Sequence, residues 1–529
     1  MVSRRWLDIA LLTGAVAATR FAFRSRYLYD IDSVNFALGM ARFDPRVYQP
    51  HPPGYFLYIC LGRLLNVPLQ NANLALVILS ILASCGTVPV IYRLAQEWFG
   101  VRAAQFAGVL FLLSPLAWFH GTVALTYSVE AFFSVLIGLL CWRLYSGRDN
   151  LVFATAIVLG ISAGIRPSSL LFLGPLFLFS LRHAPKRRLA AIAVLSAALI
   201  AWFLPMIAAS GGFKAYFEAL FSLWGLVPAK TTVFNSSPAT SIARAFTIVL
   251  IYFLAFGTAS IAPLGAMYQP GPNDPRKTIF TWVWIAPALC FFTLIFLKFV
   301  NSGYLLLLAA PACVWLGYWG SQWYENAALR RPAKIAVIAL CATANVLLYL
   351  ASPFYCSYRS VRRFEATLEA VRSALPQVAS AKGTLIIGFD SHFLGYRHAG
   401  YYLPDYFTVE YPEERLREGE RVFAMHGRDT RLLSELPVAS YSRFVFFPLP
   451  DGSASYRDYM EKVTRKVPVS SLQTVHVAGF DFVTGPIADL RFLFPNAMKY
   501  PSGVSTSSLT GLVCKQPCTP IPVTKSITH

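Results

Sequence analysis

The sequence predicts a polytopic α-helical membrane protein of about eleven spans, carrying a C-terminal α/β domain on one side of the bilayer. Three observations predict it. Of 529 residues, 56% are hydrophobic and 14% charged, where a soluble domain carries roughly 25% charged. The charges are uneven: residues 1–352 hold 26 basic and 10 acidic side chains, and residues 353–529 hold 20 and 16. The first part also repeats apolar runs of about 20 residues, the length that crosses the hydrocarbon core. The formal charge of +20 lies mostly at the ends of those runs, where positive-inside topology and anionic lipid head groups explain it, so nucleic acid is not an expected partner.

By hydropathy the spans fall roughly at 6–23, 71–92, 103–119, 122–142, 151–165, 168–181, 189–209, 246–268, 279–298, 304–321 and 335–352. The first follows Arg4 and Arg5, but no small-x-small cleavage site comes after it. The chain runs on into Arg20-Phe21-Ala22-Phe23-Arg24, so a retained anchor is expected. Two short runs flank Arg166-Pro167 and read as a hairpin whose turn is buried in protein or lines a cavity. Gly54 to Leu65 is apolar but short and contains Arg63, which suits an amphipathic helix in the interface within a long first loop, 24–70. Arg93 and Arg102, Arg143 and Arg148, Arg182 to Arg188, Arg276 and Lys277, and Arg330 to Lys334 mark the cytoplasmic connections. An odd span count then places 353–529 outside, in a multi-pass protein of the inner (plasma) membrane.

The domain 353–529 reads as α/β. Arg359 to Leu375 has the period of an amphipathic helix, and Thr384 to Phe389 and Phe444 to Phe447 have the character of buried strands. Of nine cysteines, seven lie in or beside spans at no metal-ligand spacing and read as small core residues. Cys514 and Cys518 lie in the polar tail, where an oxidising compartment would permit a structural bridge.

Polar chemistry concentrates just after the first span, in Tyr29-Asp30-Ile31-Asp32-Ser33-Val34-Asn35-Phe36-Ala37, Phe43-Asp44-Pro45 and His51-Pro52-Pro53-Gly54-Tyr55. Two carboxylates two residues apart at an interface are costly unless they bind or deprotonate something. The plainer alternative is an Asp that caps the following helix. Asp30-Ile31-Asp32 also has the form of an Asp-x-Asp metal motif, which leaves a divalent metal open as a cofactor. Glu130, in Thr126-Tyr127-Ser128-Val129-Glu130-Ala131-Phe132-Phe133, is a carboxylate inside a span: either functional or paired with an Arg for structure. Arg166 and Lys298 stand at the outer ends of spans, where they bind an anion or snorkel to the interface. In the C-terminal domain Asp390-Ser391-His392 and Arg397-His398-Ala399-Gly400-Tyr401-Tyr402 stand out. Residues so close in sequence do not make a hydrolase triad; the readings are a lid or acceptor-binding stretch, or an exposed strand-to-helix turn.

Four runs, taken in order, carry a family resemblance: Asp32 with Ser33, His51-Pro52-Pro53-Gly54-Tyr55-Phe56-Leu57-Tyr58, Tyr92-Arg93-Leu94-Ala95-Gln96-Glu97-Trp98-Phe99-Gly100, and Leu112-Leu113-Ser114-Pro115. Their order resembles the GT-C integral-membrane glycosyltransferases, in the bacterial branch related to protein O-mannosyltransferases and aminoarabinose transferases (glycosyltransferase family 39-like). The resemblance covers about residues 1–320. It departs from the family at Ser33, where the family usually has Glu, and leaves open whether Asp30 supplies the second carboxylate.

The resemblance implies the GT-C fold and transfer of a sugar from a polyprenyl-phosphate donor to a lipid, glycan or protein acceptor at the outer face, with inversion. A sugar on a lipid phosphate already carries a good leaving group, so the protein chiefly supplies a base for the acceptor hydroxyl and cations for the departing phosphate. On that reading Asp32 is the base, and Asp30 orients it or raises its pKa by like-charge proximity. Glu130 is a second acid, and Arg166, Lys298 and Tyr304 hold the donor phosphate. His51 either contacts the acceptor or is a hydrogen-bonding residue at a helix start, and Tyr55, His392 and Arg397 belong to the acceptor side or to the loops around it. No metal ligand is assigned, and metal dependence stays undecided. The rival class, a lipid-linked-sugar flippase or secondary transporter, calls for inverted repeats and paired broken helices, which the sequence does not clearly show.

Overall fold

The computed structural model describes residues 2–226, 232–235, 238–268, 274–296, 299–353, 356–389, 391–411, 422–433, 440–448, 460–461 and 471–494. Lys298, Asp390, Cys514 and Cys518 lie outside the described residues. The membrane part begins with α1 (Val2–Ala22), α2 (Ile31–Ala41), α3 (Phe56–Leu69), α4 (Ala72–Phe99), α5 (Val101–Leu113), α6 (Pro115–His120) and α7 (Tyr127–Tyr145). It continues with α8 (Val152–Ile165), α9 (Ser168–Ser180), α10 (Arg188–Ala209), α11 (Phe213–Leu226), α12 (Pro238–Phe256) and α13 (Ile261–Gly265). The series closes with α14 (Pro275–Cys290), α15 (Leu306–Asn326) and α16 (Arg331–Ala351). Helix α4 packs against α1, α3, α5, α7 and α15, which places it at the centre of the bundle.

Among the described residues each apolar run read from the sequence is mostly helical, but the count of about eleven spans is not confirmed. Among the described residues seven helices are long and apolar enough to cross a membrane. The others fall short for local reasons. Helix α1 contains Arg4, Arg5, Asp8 and Arg20. The run 103–119 is cut where Ser114 caps α6 and Pro115 opens it, since Pro fits the first turn of a helix but not its interior. Helices α8 and α9 are 14 and 13 residues long.

The charged connections gather at one end of the bundle. Asp8 of α1 accepts from Tyr92 Oη at 2.9 Å and Gln105 Nε2 at 2.8 Å, Arg143 pairs with Glu97 at 2.6 Å, and Lys277 donates to the Trp98 carbonyl at 2.9 Å. Arg102 pairs with Glu325 at the same end. The loop 24–70 is at the other end. Asn73, in the first turn of α4, donates to the Ser25 carbonyl at 2.9 Å, so the loop leaves and re-enters at one level. Within it Arg63 of α3 donates to the Met40 and Gly39 carbonyls at 2.8 and 3.0 Å, satisfying orphan acceptors at the C-terminus of α2. Helix α3 therefore folds back on α2, and at 14 residues it is shorter than the helices long enough to cross a membrane.

The C-terminal domain stands on the loop 24–70. Its sheet has seven strands in the order β4-β3-β2-β1-β5-β7-β6, with β1 (Thr384–Phe389), β2 (Phe407–Tyr411), β3 (Phe423–His426), β4 (Asp429–Leu432), β5 (Arg443–Phe446), β6 (Gln473–Val477) and β7 (Phe480–Pro486). Central β1 runs parallel to β2 and β5, and the outer pairings are antiparallel. Every residue of β1 is buried, as befits a strand covered on both faces. Helix α17 (Tyr358–Val378) buries Val361, Phe364, Glu365, Leu368, Val371, Ala374 and Leu375, a stripe at helical spacing. A short helix, α18 (Tyr396–Tyr402), joins β1 to β2. The α/β reading of this domain holds, with α17 and β1 close to their expected bounds.

Candidate active site

The site forms where the loop 24–70 meets the turns at the same end of the bundle. Asp30 has extended dihedrals (φ −105°, ψ 155°), and its carboxylate accepts the Asp32 N–H at 2.8 Å, which makes it the N-cap of α2. It is buried, 6% exposed. Burial and the neighbouring Asp32 charge both push its pKa well above the usual carboxylate range. Asp32 lies in the first turn of α2, and its Oδ1 is 3.3 Å from Nδ1 of His51. Two residues apart in sequence, the two aspartates thus differ in their partners. One is spent on a cap; the other is presented.

His51 links Asp32 to the membrane helices. Its Nε2 is 3.1 Å from the Tyr55 hydroxyl, and its ring is tilted against Phe36 at 5.7 Å. Burial lowers its pKa; Asp32 opposes this, while Arg166, Arg397 and His392 add to it. The imidazole is therefore neutral near pH 7. Tyr55 sits in the left-handed region (φ 48°) at the start of α3, a conformation that costs a non-glycine residue about 1–3 kcal/mol and is often found at functional sites. Its ring lies 5.9 Å from the Arg166 guanidinium.

Arg166 occupies the turn between α8 and α9, the buried hairpin turn expected from its two short flanking runs. The guanidinium is bracketed by Tyr127 at 4.6 Å and Tyr304 at 4.5 Å. Its Nε is 3.1 Å from Glu130 Oε2 and 3.3 Å from the Ser168 hydroxyl, and Nη1 donates to Thr126 Oγ1 at 2.7 Å. Ser168 in turn donates to Glu130 Oε1 at 3.3 Å. Among the described residues Nη2 makes no hydrogen bond, so one edge of the fork remains for an external acceptor. Glu130 fixes the cation's orientation.

Of the residues singled out in the sequence, Asp30, Asp32, His51, Tyr55, Glu130, Arg166 and Tyr304 come together here. His392 and Arg397 lie in the C-terminal domain facing the same loop. Arg397 is fully buried, and its nitrogens go to Tyr396 Oη at 2.8 Å, Thr430 Oγ1 at 3.0 Å and the Val47 carbonyl at 2.9 Å. Sequence reading did not assign the aromatic and hydroxyl partners of Arg166, namely Tyr127, Thr126 and Ser168, although the first two lie in the run that was singled out for Glu130. It also passed over His120, 2% exposed, edge-on to Tyr127 at 4.8 Å, with both ring nitrogens buried and without a hydrogen-bond partner among the described residues. No local pattern marks that residue.

The residues of Asp30-Ile31-Asp32 have separate partners. The Asp30 carboxylate is committed to the helix cap, and among the described residues no group of three or more His, Cys, Asp or Glu side chains is placed to hold a metal ion.

Comparison with known proteins agrees with this architecture. Residues 46–189, which include His51, Tyr55, Glu130 and Arg166, match the family model described as the protein O-mannosyl-transferase TMEM260 N-terminal domain. Among solved structures, ArnT from Cupriavidus metallidurans in the apo state aligns over 92% of this chain and 98% of its own, with a TM-score of 0.58 at 12% identity. The same protein bound to undecaprenyl phosphate aligns over 90% and 98%, with a TM-score of 0.53 at 12% identity. No curated protein matches the sequence. With its helical bundle, its C-terminal sheet domain and this likeness along nine-tenths of its length, the chain has the GT-C fold of integral-membrane glycosyltransferases.

Proposed function

We propose that the protein is a glycosyltransferase that moves a sugar from a polyprenyl-phosphate donor to an acceptor hydroxyl, with inversion, at the outer face of the inner membrane. The observation that carries this reading is the run of close contacts from Asp32 to His51, from His51 to Tyr55 and from the Tyr55 ring to the caged guanidinium of Arg166. It sets a carboxylate and a cation at two ends of one constellation. Asp32 accepts the proton of the acceptor hydroxyl as its oxygen forms the bond to the sugar's anomeric carbon. The bond from that carbon to the phosphate oxygen breaks, and the phosphate leaves with the electron pair, stabilised by the unpaired edge of Arg166. Lys298, expected as a second cation, lies outside the described residues. The structure of ArnT with undecaprenyl phosphate supports a lipid carrier of that class.

The test is mass spectrometry of envelope glycans and glycolipids in cells with the wild-type protein, without it, and with Asp32→Asn. A glycan that vanishes in the second and third strains is expected. Asp32→Asn should lower turnover about 100-fold or more, the usual contribution of a general base. Asp30→Asn should be milder, because an amide oxygen still caps α2. A donor translocated across vesicles without being consumed would show a transporter instead.

A further inference from the structure

The first four N–H groups of any helix lack partners within it. At the start of α2, Asp32 N bonds to Asp30, but Ile31 N, between the two aspartates, donates to the carbonyl of His392 at 2.9 Å. The end of the helix that presents Asp32 is therefore completed from the C-terminal domain. Three residues earlier the Leu28 N–H donates to the Tyr402 hydroxyl at 2.7 Å, and Leu28 is fully buried. Between them the Tyr29 ring packs against Phe393 at 4.8 Å and Phe364 at 5.3 Å, both from that domain, and against Phe119 of α6 at 5.6 Å.

The same hold extends along the loop. Glu365 of α17 accepts from Arg26 N at 2.6 Å and from its Nε at 3.0 Å. Arg397 reaches the Val47 carbonyl, and Thr430 takes the Gln49 amide at 2.8 Å, two residues before His51. Buried backbone donors left unpaired are expensive, so the loop keeps this path only while the domain supplies its acceptors.

We propose that Tyr402 and the His392 carbonyl are positioning groups of the active site: the C-terminal domain sets the backbone of Leu28 to Asp32 and thereby aims the Asp32 carboxylate. Neither group touches the carboxylate, and both act through the main chain. The stretch 392–402 is then an internal brace for the catalytic loop rather than a lid over an acceptor groove. The inference rests on Asp32 being the base. A general base works only within hydrogen-bond reach of its proton, and a displacement of about 1 Å can cost 100-fold in rate.

Tyr402→Phe tests it, because it removes one hydroxyl yet keeps the ring that packs edge-on against Tyr27 at 5.4 Å. The full chain is purified in detergent and three quantities are read: hydrogen exchange in peptides covering residues 26–33, thermal stabilisation by undecaprenyl phosphate, and glycan product formed in cells. The expected result is exchange at 26–33 faster by about tenfold and product lowered about tenfold or more, with stabilisation by undecaprenyl phosphate unchanged. That split separates a positioning role from general loss of fold, which would weaken all three together. Unchanged exchange, unchanged product, or a parallel loss of undecaprenyl phosphate stabilisation would each overturn the proposal. Asp32→Asn serves as the control for the underlying reading. If it retains product, the assignment of the base fails, whereas the exchange data still judge whether the domain holds the loop.

Discussion

Arg166 and Glu130 form an ion pair with Nε 3.1 Å from Oε2 and side chains only 5% and 2% exposed. Such a pair gains little over apolar residues of the same shape, but losing one partner strands a buried charge. The energetics of the pair are directly measurable.

Glu130→Gln or Arg166→Met alone should destabilise the protein by about 3–5 kcal/mol, and the double variant by clearly less than the sum. Thermal unfolding in detergent, arranged as a double-mutant cycle, checks this. Arg166→Lys keeps the charge but not the fork, so it should recover stability better than turnover.

Asp30 gives the protein a defined pH dependence. Its folded pKa is raised by burial and by Asp32, so its favourable contribution is complete at acid pH, below the ordinary Asp value of about 3.9. It is lost as pH rises through the folded value, because the native state then holds a proton that the unfolded state has released. Asp30→Asn removes that loss. The variant should gain on the wild type with rising pH, by up to about 1.4 kcal/mol per pH unit within the window. Melting curves between about pH 4 and pH 8 would show a constant offset if Asp30 did not titrate there.

Asn345 should be a stability determinant remote from the chemistry. It is fully buried in α16, donates to the Leu113 and Phe256 carbonyls at 3.2 and 2.9 Å, and accepts from Ala259 N and Thr258 Oγ1 at 3.2 Å each. It thereby holds the break after α5 and the end of α12. Asn345→Leu leaves those groups unpaired and should cost about 1–3 kcal/mol. Gly257→Ala should be similarly harmful, because Gly257 has a positive φ of 52° and an added Cβ would collide with Asn345 Oδ1. Unfolding midpoints and sugar transfer, measured together, should fall in stability without a specific change in donor use.

Topology follows from the two ends of the bundle. Cysteines introduced at exposed Arg42 and Asp405 should react together with a membrane-impermeant reagent, and one at exposed Lys186 should react only from the opposite face. In intact cells the first two are expected to label. Labelling of Asp405 from the side of Lys186 would contradict the contact between the C-terminal domain and the loop 24–70.

Hydropathy and periodicity settled the helices, the buried strand β1, the amphipathic face of α17 and the sorting of basic connections to one end. All of these depend on residues near one another in the chain and on the burial each segment needs. The brevity of the runs beside Arg166 was enough to mark a buried turn there. The partner of Glu130, the tyrosine pair around Arg166, and the use of Asp30 as a helix cap were open in the sequence. Each depends on where packing sets a backbone that local pattern does not encode: an extended Asp30 becomes a cap, and the turn 166–168 falls beside the first turn of α7. The brace from His392 and Tyr402 is the extreme case. It joins the two charge-distinct parts of the chain through a carbonyl and a hydroxyl, groups whose hydrogen-bonding capacity is the same at every position and whose use is decided only by what the tertiary structure brings within 3 Å.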